Sequence, residues 1–326
     1  MVAGAPGRRA GGQSRAQGPA TVTLSEIGFQ ALLRWLLFPA AAIPVCVYAR
    51  VHGHHGFLER LGPWFLIIPV ALGASYLGMV PFGLLLAMCG AVAAWELARL
   101  GQALPAPRSG AAAVLGARPS RFALALACVL PWILWPALGP SDSAIVAGAA
   151  VLLPVLLFFA LPRAAAAVWT VPLLPLSLGA ALSFWVRLQQ MPAGFRWVLV
   201  AFSVVVVNDV MGFVTGRLLP GPRPFPSLSP GKTITGYAGG LAGAVLTAFV
   251  LAFAEPEFGA LTIAAAAVAL ACSGAAGDLL ASAVKRRHQA KDFGRALGAQ
   301  GGMLDRLDSL LGAGWIFYLF VTLIAR

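Results

Sequence analysis

The chain has 326 residues, of which 60% are hydrophobic and only 10% carry a charge. A soluble domain carries roughly 25% charged residues, so an ordinary soluble enzyme is excluded. The net charge of +12 sits in short segments between apolar runs, the positive-inside pattern; this favours an anionic lipid or a polyanionic substrate over nucleic acid as the partner.

Apolar runs of about 18 or more residues read as membrane-spanning helices. Such runs nearly use up the chain, which predicts an all-α, polytopic protein with about nine or ten spans. The runs are too long and too uniformly apolar for barrel strands.

Residues 1–24 are rich in Gly, Ala, Arg and Gln and show no periodicity, so they read as a disordered basic tail. Arg8-Arg9 precedes polar residues rather than an apolar stretch, which argues against a cleavable export signal. Residues 25–195 form a first set of spans. Helix formation is expected at about 28–48, and 63–98 reads as one long helix or as two joined near Pro81. Glu96 and Arg99, three apart at the end of this stretch, read as a structural pair or as site residues. Further helices are expected at about 122–138, 142–161 and 166–184. The four cysteines lie in apolar runs without metal spacing, and His52, His54 and His55 share one Gly-rich loop.

Residues 196–326 form the second set, with helices at about 196–216, 236–254, 259–284 and 303–325 and two basic loops, 217–235 and 285–302. Both loops are assigned to the cytoplasmic side with loop 99–121. The chain's three lysines, Lys232, Lys285 and Lys291, all fall in these two loops.

Three constellations interrupt the apolar pattern. Asn208-Asp209 breaks a β-branched run, which faces either a polar cavity or a hydrogen-bonding partner helix. Gly212 and Gly216 beside it let another backbone approach closely. The second is Ser229-Pro230-Gly231-Lys232-Thr233. A P-loop reading fails because Pro226 stands where the first glycine belongs and no strand precedes it. A lysine and flexible glycines before a helix start still suit phosphate contact, as they suit a turn with an anchoring lysine. In the third, Asp278, Ser282 and Lys285 share a helical face, Asp305 and Asp308 share another, and Gly301-Gly302 frees backbone N–H groups to meet an anion. Carboxylates beside fixed cations suit metal-assisted phosphoryl or nucleotidyl transfer, or a salt-bridged loop.

The run from Ser282 through Lys285-Arg286, Lys291-Asp292, Gly294, Leu297-Gly298 and Gln300-Gly301-Gly302 to Asp305-Arg306-Leu307-Asp308 resembles the signature of the phosphatidate cytidylyltransferases. The resemblance extends to Asn208-Asp209, to Ser229-Pro230, Lys232-Thr233, Gly236 and Gly239-Gly240, and to Gly277-Asp278. Departures are Gln300 for the family's usual histidine, Ile234-Thr235 for Trp-Glu, and Gly212-Phe213 for Ala-Tyr. The resemblance implies transfer of CMP from CTP to phosphatidate, giving CDP-diacylglycerol and pyrophosphate. It implies Mg2+ at Asp278, Asp305 and Asp308, with room for a second cation. Lys232, Ser282, Lys285, Arg286 and Arg306 take the catalytic roles. Asn208, Asp209, Ser229, Thr233, Lys291, Asp292, Gln300, Gly301 and Gly302 surround the substrates. The implied setting is a bacterial inner membrane with the site facing the cytoplasm, and a homodimer is compatible with it. Two other readings stay open: a CTP-dependent prenol or dolichol kinase, and a non-enzymatic transporter of an anion. The absence of an internal repeat weighs against the transporter.

Overall fold

A computed structural model describes residues 24–35, 62–102, 140–160, 163–254, 257–296 and 301–324, together with 47, 50, 51 and 128. The chain is an integral membrane protein whose regular structure, among the described residues, is all helical. Its described helices are α1 (Leu24–Trp35), α2 (Trp64–Tyr76), α3 (Met79–Gln102), α4 (Pro140–Ala160), α5 (Arg163–Gln190), α6 (Gly194–Leu218), α7 (Ile234–Val250), α8 (Ala260–Arg287) and α9 (Leu304–Ile324). A 3-10 turn, Ala252–Ala254, follows α7. The basic tail expected at 1–24 lies outside the described residues except for Leu24, as does the helix expected at 122–138 except for Cys128.

Among the described residues, four helices are long and apolar enough to cross a membrane: Met79–Leu100, Gly194–Leu218, Ala260–Arg287 and Leu304–Ile324. The expected count of nine or ten is therefore not reproduced. The 63–98 run takes the second of its two expected forms, two helices, joined three residues before Pro81. The break falls at Gly78, whose φ of 117° is open to glycine and costly for other residues. Pro81 does not break the run, because it sits in the first turn of α3, where a missing N–H costs nothing. The resulting α2 has 13 residues, a length of about 20 Å, well short of a hydrocarbon core of about 30 Å.

Helices α5, α6, α8 and α9 supply the centre of the apolar core, where Phe184, Trp185, Val198, Val204, Leu270 and Phe317 are fully buried. Without a hydrophobic drive between helices in lipid, association relies on close packing and polar contacts. The Trp185 indole N–H donates to the Leu310 carbonyl at 3.0 Å and so joins α5 to α9. Ser75 and Gln189 join α2 to α5 reciprocally: the hydroxyl donates to Gln189 Oε1 at 2.6 Å, and Gln189 Nε2 donates to the Ser75 carbonyl at 2.9 Å.

Two glycine-lined crossings position the polar residues. The α6–α7 crossing uses Gly212 and Gly216 against Gly236, and Gly240 against Asn208, where an added Cβ would stand 2.7 Å from the Asn208 carbonyl oxygen. This is the close approach that the Gly212/Gly216 spacing predicts. The α8–α9 crossing uses Gly277 against Gly312; a Cβ on either would collide with the opposite backbone.

Candidate active site

Asp209 lies roughly two and a half turns inside the C-terminal end of α6, and Asp278 lies equally far inside that of α8. Asp308 sits in the second turn of α9, whose chain runs the opposite way. The crossings bring these three carboxylates within electrostatic reach of one another, with the Ser309 side chain alongside Asp209. Asn208 is buried, and its Nδ2 donates a long bond of 3.4 Å to Asp209 Oδ1.

Two lysines offset this negative charge. Lys232 reaches from the loop before α7 to form an ion pair with Asp278. Burial pulls the Lys232 ammonium toward neutrality, but the Asp278 carboxylate outweighs it and holds the pKa above the ordinary value. Lys285, in the last turn of α8, pairs with Asp305 Oδ1 at 2.8 Å. So the expected face of Asp278, Ser282 and Lys285 does point inward, with Ser282 buried between its two charged neighbours.

Asp305 has a second task. Its Oδ2 accepts from the backbone N–H groups of Gly302 (2.9 Å) and Phe293 (3.0 Å). The glycine pair therefore does present an N–H group to an anion, and that anion is the chain's own Asp305. Gly301 makes the bend with a φ of 86°.

Local chemistry fixes both loops. Thr233 is the N-cap of α7, its hydroxyl accepting from Gly236 N–H at 3.1 Å. Thr235, where the resembled family has glutamate, donates to the Leu219 carbonyl at 2.5 Å and meets Thr233 Oγ1 at 2.9 Å. These bonds close the neck of the proline-rich loop. Ser229 enters through its backbone: its carbonyl accepts from Lys232 N–H at 3.2 Å, which sets the turn that carries the lysine. Arg286 joins the two loops, Nε to the Leu228 carbonyl at 3.3 Å and Nη1 to the Ala290 carbonyl at 3.2 Å.

The expected loop boundaries shift. Lys285 and Arg286 belong to the last turn of α8, with Arg287, where cations complement the carbonyl end of a helix. The helix then stops in a Schellman arrangement: Ala290 N–H donates to the Lys285 carbonyl and Gln289 N–H to the Arg286 carbonyl, with Gln289 at a φ of 57°. The His288 ring nitrogen Nδ1 lies 2.9 Å from the Val284 carbonyl. Burial lowers its pKa, the carbonyl opposes that shift, and Arg287 reinforces it. Similarly Arg217 and Thr235 are helical, so the proline-rich loop is 219–233. Lys291 and Asp292 are exposed in the second loop, Arg306 is half-buried on α9, and Gln300 lies outside the described residues.

For Glu96 the sequence suggests a partner that the structure does not bear out. Its expected partner, Arg99, is exposed, whereas Glu96 is 4% exposed and turns inward. Its Oε2 accepts from Leu304 N–H at 3.1 Å and its Oε1 from Ala296 N–H at 3.4 Å. Tyr237 was missed: Lys232 Nζ lies 5.5 Å from the centre of its ring. The signal for Glu96 was its place beside Trp95 at the end of an apolar run, and the signal for Tyr237 was an aromatic residue among small ones at a helix start.

Among the described residues, no three acidic, histidine or cysteine side chains already converge as a metal cage. The donor set nevertheless fits a hard cation, being carboxylate oxygens alone. Asp278 and Asp305 are balanced here by lysine ammonium groups, and Asp308 Oδ1 accepts from the Ser309 N–H at 2.8 Å.

Comparison with known proteins decides the family, because the cytidylyltransferase family profile matches residues 58–324. This chain belongs to the cytidylyltransferase family. Among similar family members, the phosphatidate cytidylyltransferase of Brucella abortus is 37% identical over 147 residues, 45% of this chain and 54% of that protein. The phosphatidate cytidylyltransferase of Staphylococcus epidermidis is 35% identical over 119 residues, 36% of this chain and 46% of that protein. The chain thus spans about half the length of these relatives.

Proposed function

We propose that this cytidylyltransferase-family protein transfers CMP from CTP to phosphatidate, releasing pyrophosphate and forming CDP-diacylglycerol. The observation that carries the reading is the pairing of two lysines with Asp278 and Asp305 where α6, α8 and α9 meet. The names and identities of the relatives support the same chemistry.

A phosphate monoester has a second pKa near 6 and is largely dianionic at pH 7. Its oxygen attacks the α-phosphorus of CTP, one P–O bond forms, and the bond to the β-phosphate bridging oxygen breaks. The attacking oxygen carries no proton, so no strong general base is required. The difficulty is anion meeting anion, which positioned cations and in-line geometry relieve. Lys232 and Lys285 are already charged and held; exchanging a carboxylate for a phosphate oxygen lets either ammonium steady a substrate. Arg286 and Arg306 add positive charge at the same end of the helices. Asp278, Asp305 and Asp308 would hold Mg2+, which when bound supplies charge neutralisation at the phosphates. Asn208 and Asp209 orient the interior of the site. Ser229 and Thr233 set the Lys232 loop, and Lys291 and Asp292 line the exposed approach for the nucleotide.

The setting we infer is a bacterial inner membrane with both basic loops on the cytoplasmic side, where a lipid phosphate and a soluble nucleotide meet. Support comes from the positive-inside distribution of arginine and lysine. Pyrophosphate assay separates the readings. Release that depends on both phosphatidate and Mg2+ is expected; lipid phosphorylation without pyrophosphate would point to a CTP-dependent kinase, and vesicle uptake without either product to a transporter.

A further inference from the structure

We propose that Glu96 is a positioning residue for the active site, holding Ala296 and the start of α9 at Leu304 from a helix remote in sequence. The proposal deepens the function given above and rests on it for its kinetic consequence.

Glu96 lies near the end of α3, about two hundred residues from its partners, and is almost wholly enclosed. A carboxylate in such a place is costly unless its oxygens are satisfied. Both are engaged: Oε2 by the first N–H of α9, at Leu304, and Oε1 by the N–H of Ala296. The N-terminal N–H groups of a helix lack partners within it, and the helix dipole favours an anion there. Glu96 thus caps α9 from outside its own segment.

Two glycines of the signature now have a steric reason. A Cβ at Gly294 would collide with Glu96 Oε1, and one at Gly302 with Glu96 Oε2. Neither glycine has a left-handed φ, whereas Gly301 does, so 294 and 302 require glycine for room and not for backbone freedom. Asp305 grips the same loop from the other side through Gly302 and Phe293. The backbone N–H groups of Phe293, Ala296, Gly302 and Leu304 are therefore held by two carboxylates. Asp305 belongs to the site; Glu96 acts through it, fixing where α9 begins and hence where Asp305 and Asp308 stand.

The test uses the full chain in detergent or proteoliposomes, with Glu96→Gln, Glu96→Ala, Gly302→Ala and the double variant Glu96→Ala/Gly302→Ala. Amide hydrogen exchange is read across 289–304, and steady-state kinetics are taken with CTP and phosphatidate. Glu96→Gln should raise exchange at Leu304 and Ala296 by about tenfold, the loss of a hydrogen bond to a charged group, with α6 and α7 unchanged. Its kcat should fall about tenfold or more while KM for CTP changes little, the signature of lost alignment rather than lost binding. Gly302→Ala should damage the wild type but add little to Glu96→Ala, because removing the carboxylate makes room for the new methyl. Unchanged exchange in Glu96→Gln overturns the proposal, as do a loosened loop with normal kcat and additive effects in the double variant. If the wild type transfers no CMP, the proposed function falls, while the exchange measurement still decides whether Glu96 holds the loop.

Discussion

Lys232 and Asp278 form an ion pair that fastens the proline-rich loop before α7 to the interior of α8. Their side chains keep 25% and 24% of their exposure, against 12% and 9% for Lys285 and Asp305. The first pair is the more open to an incoming ligand, and the second is the more deeply buried.

The first expectation concerns the open pair. Asp278→Ala and Lys232→Met should each lower CMP transfer by about a hundredfold or more, the scale for losing a positioned electrostatic partner at the reacting centre. Both variants should keep the wild-type elution volume and helical circular dichroism. Near-normal turnover by either would remove that residue from the site.

The two pairs should also differ in stability. Lys285→Met strands a nearly buried carboxylate and should cost about 3 kcal/mol. Lys232→Met breaks a more exposed pair and should cost about 1 kcal/mol or less. Denaturant titration in mixed micelles reads the difference; equal losses would contradict the difference in burial between the two pairs.

Glycine at the α8–α9 crossing sets the distance between Asp278 and Asp308. Gly312→Ala drives a methyl into the Ser273 carbonyl and should cost about 1–3 kcal/mol through overpacking, with activity falling further as the helices part. Gly231→Ala meets no atom within 4 Å and serves as the stability control. A thermal melt of both variants checks this.

Gln289 ends α8 with a left-handed backbone, where glycine carries no steric cost. Gln289→Gly should stabilise the protein by about 1 kcal/mol, seen as a higher unfolding midpoint. A lower midpoint would mean that the glutamine side chain holds the turn.

Much of this arrangement is legible in the chain. The polar breaks at Asn208-Asp209, Asp278 and Asp305 stand out because ionisable groups in apolar helices need a partner, and the Gly212/Gly216 spacing foretells a close helix contact, though not which helix makes it. Helix ends between 194 and 324 follow closely from the apolar runs and their caps. What could not be read depends on contacts remote in sequence. The loop N–H groups that Glu96 accepts lie about two hundred residues away, so its neighbour Arg99 was the natural but mistaken partner. Gly78 outranks Pro81 as a breaker because proline in a first helical turn is harmless. The basic loops begin later than charge suggests, since arginines and lysines favour the last turn of a helix.

The central claim is the transfer of CMP to a lipid phosphate. The direct measurement is incubation of the purified protein with phosphatidate, Mg2+ and CTP labelled either at the α-phosphate or at the γ-phosphate, followed by identification of the labelled lipid. Label is expected from the α-position alone, in a product that co-migrates with CDP-diacylglycerol and disappears with Asp278→Ala. Lipid labelled from the γ-position, or no labelled lipid from active, folded protein, would contradict it.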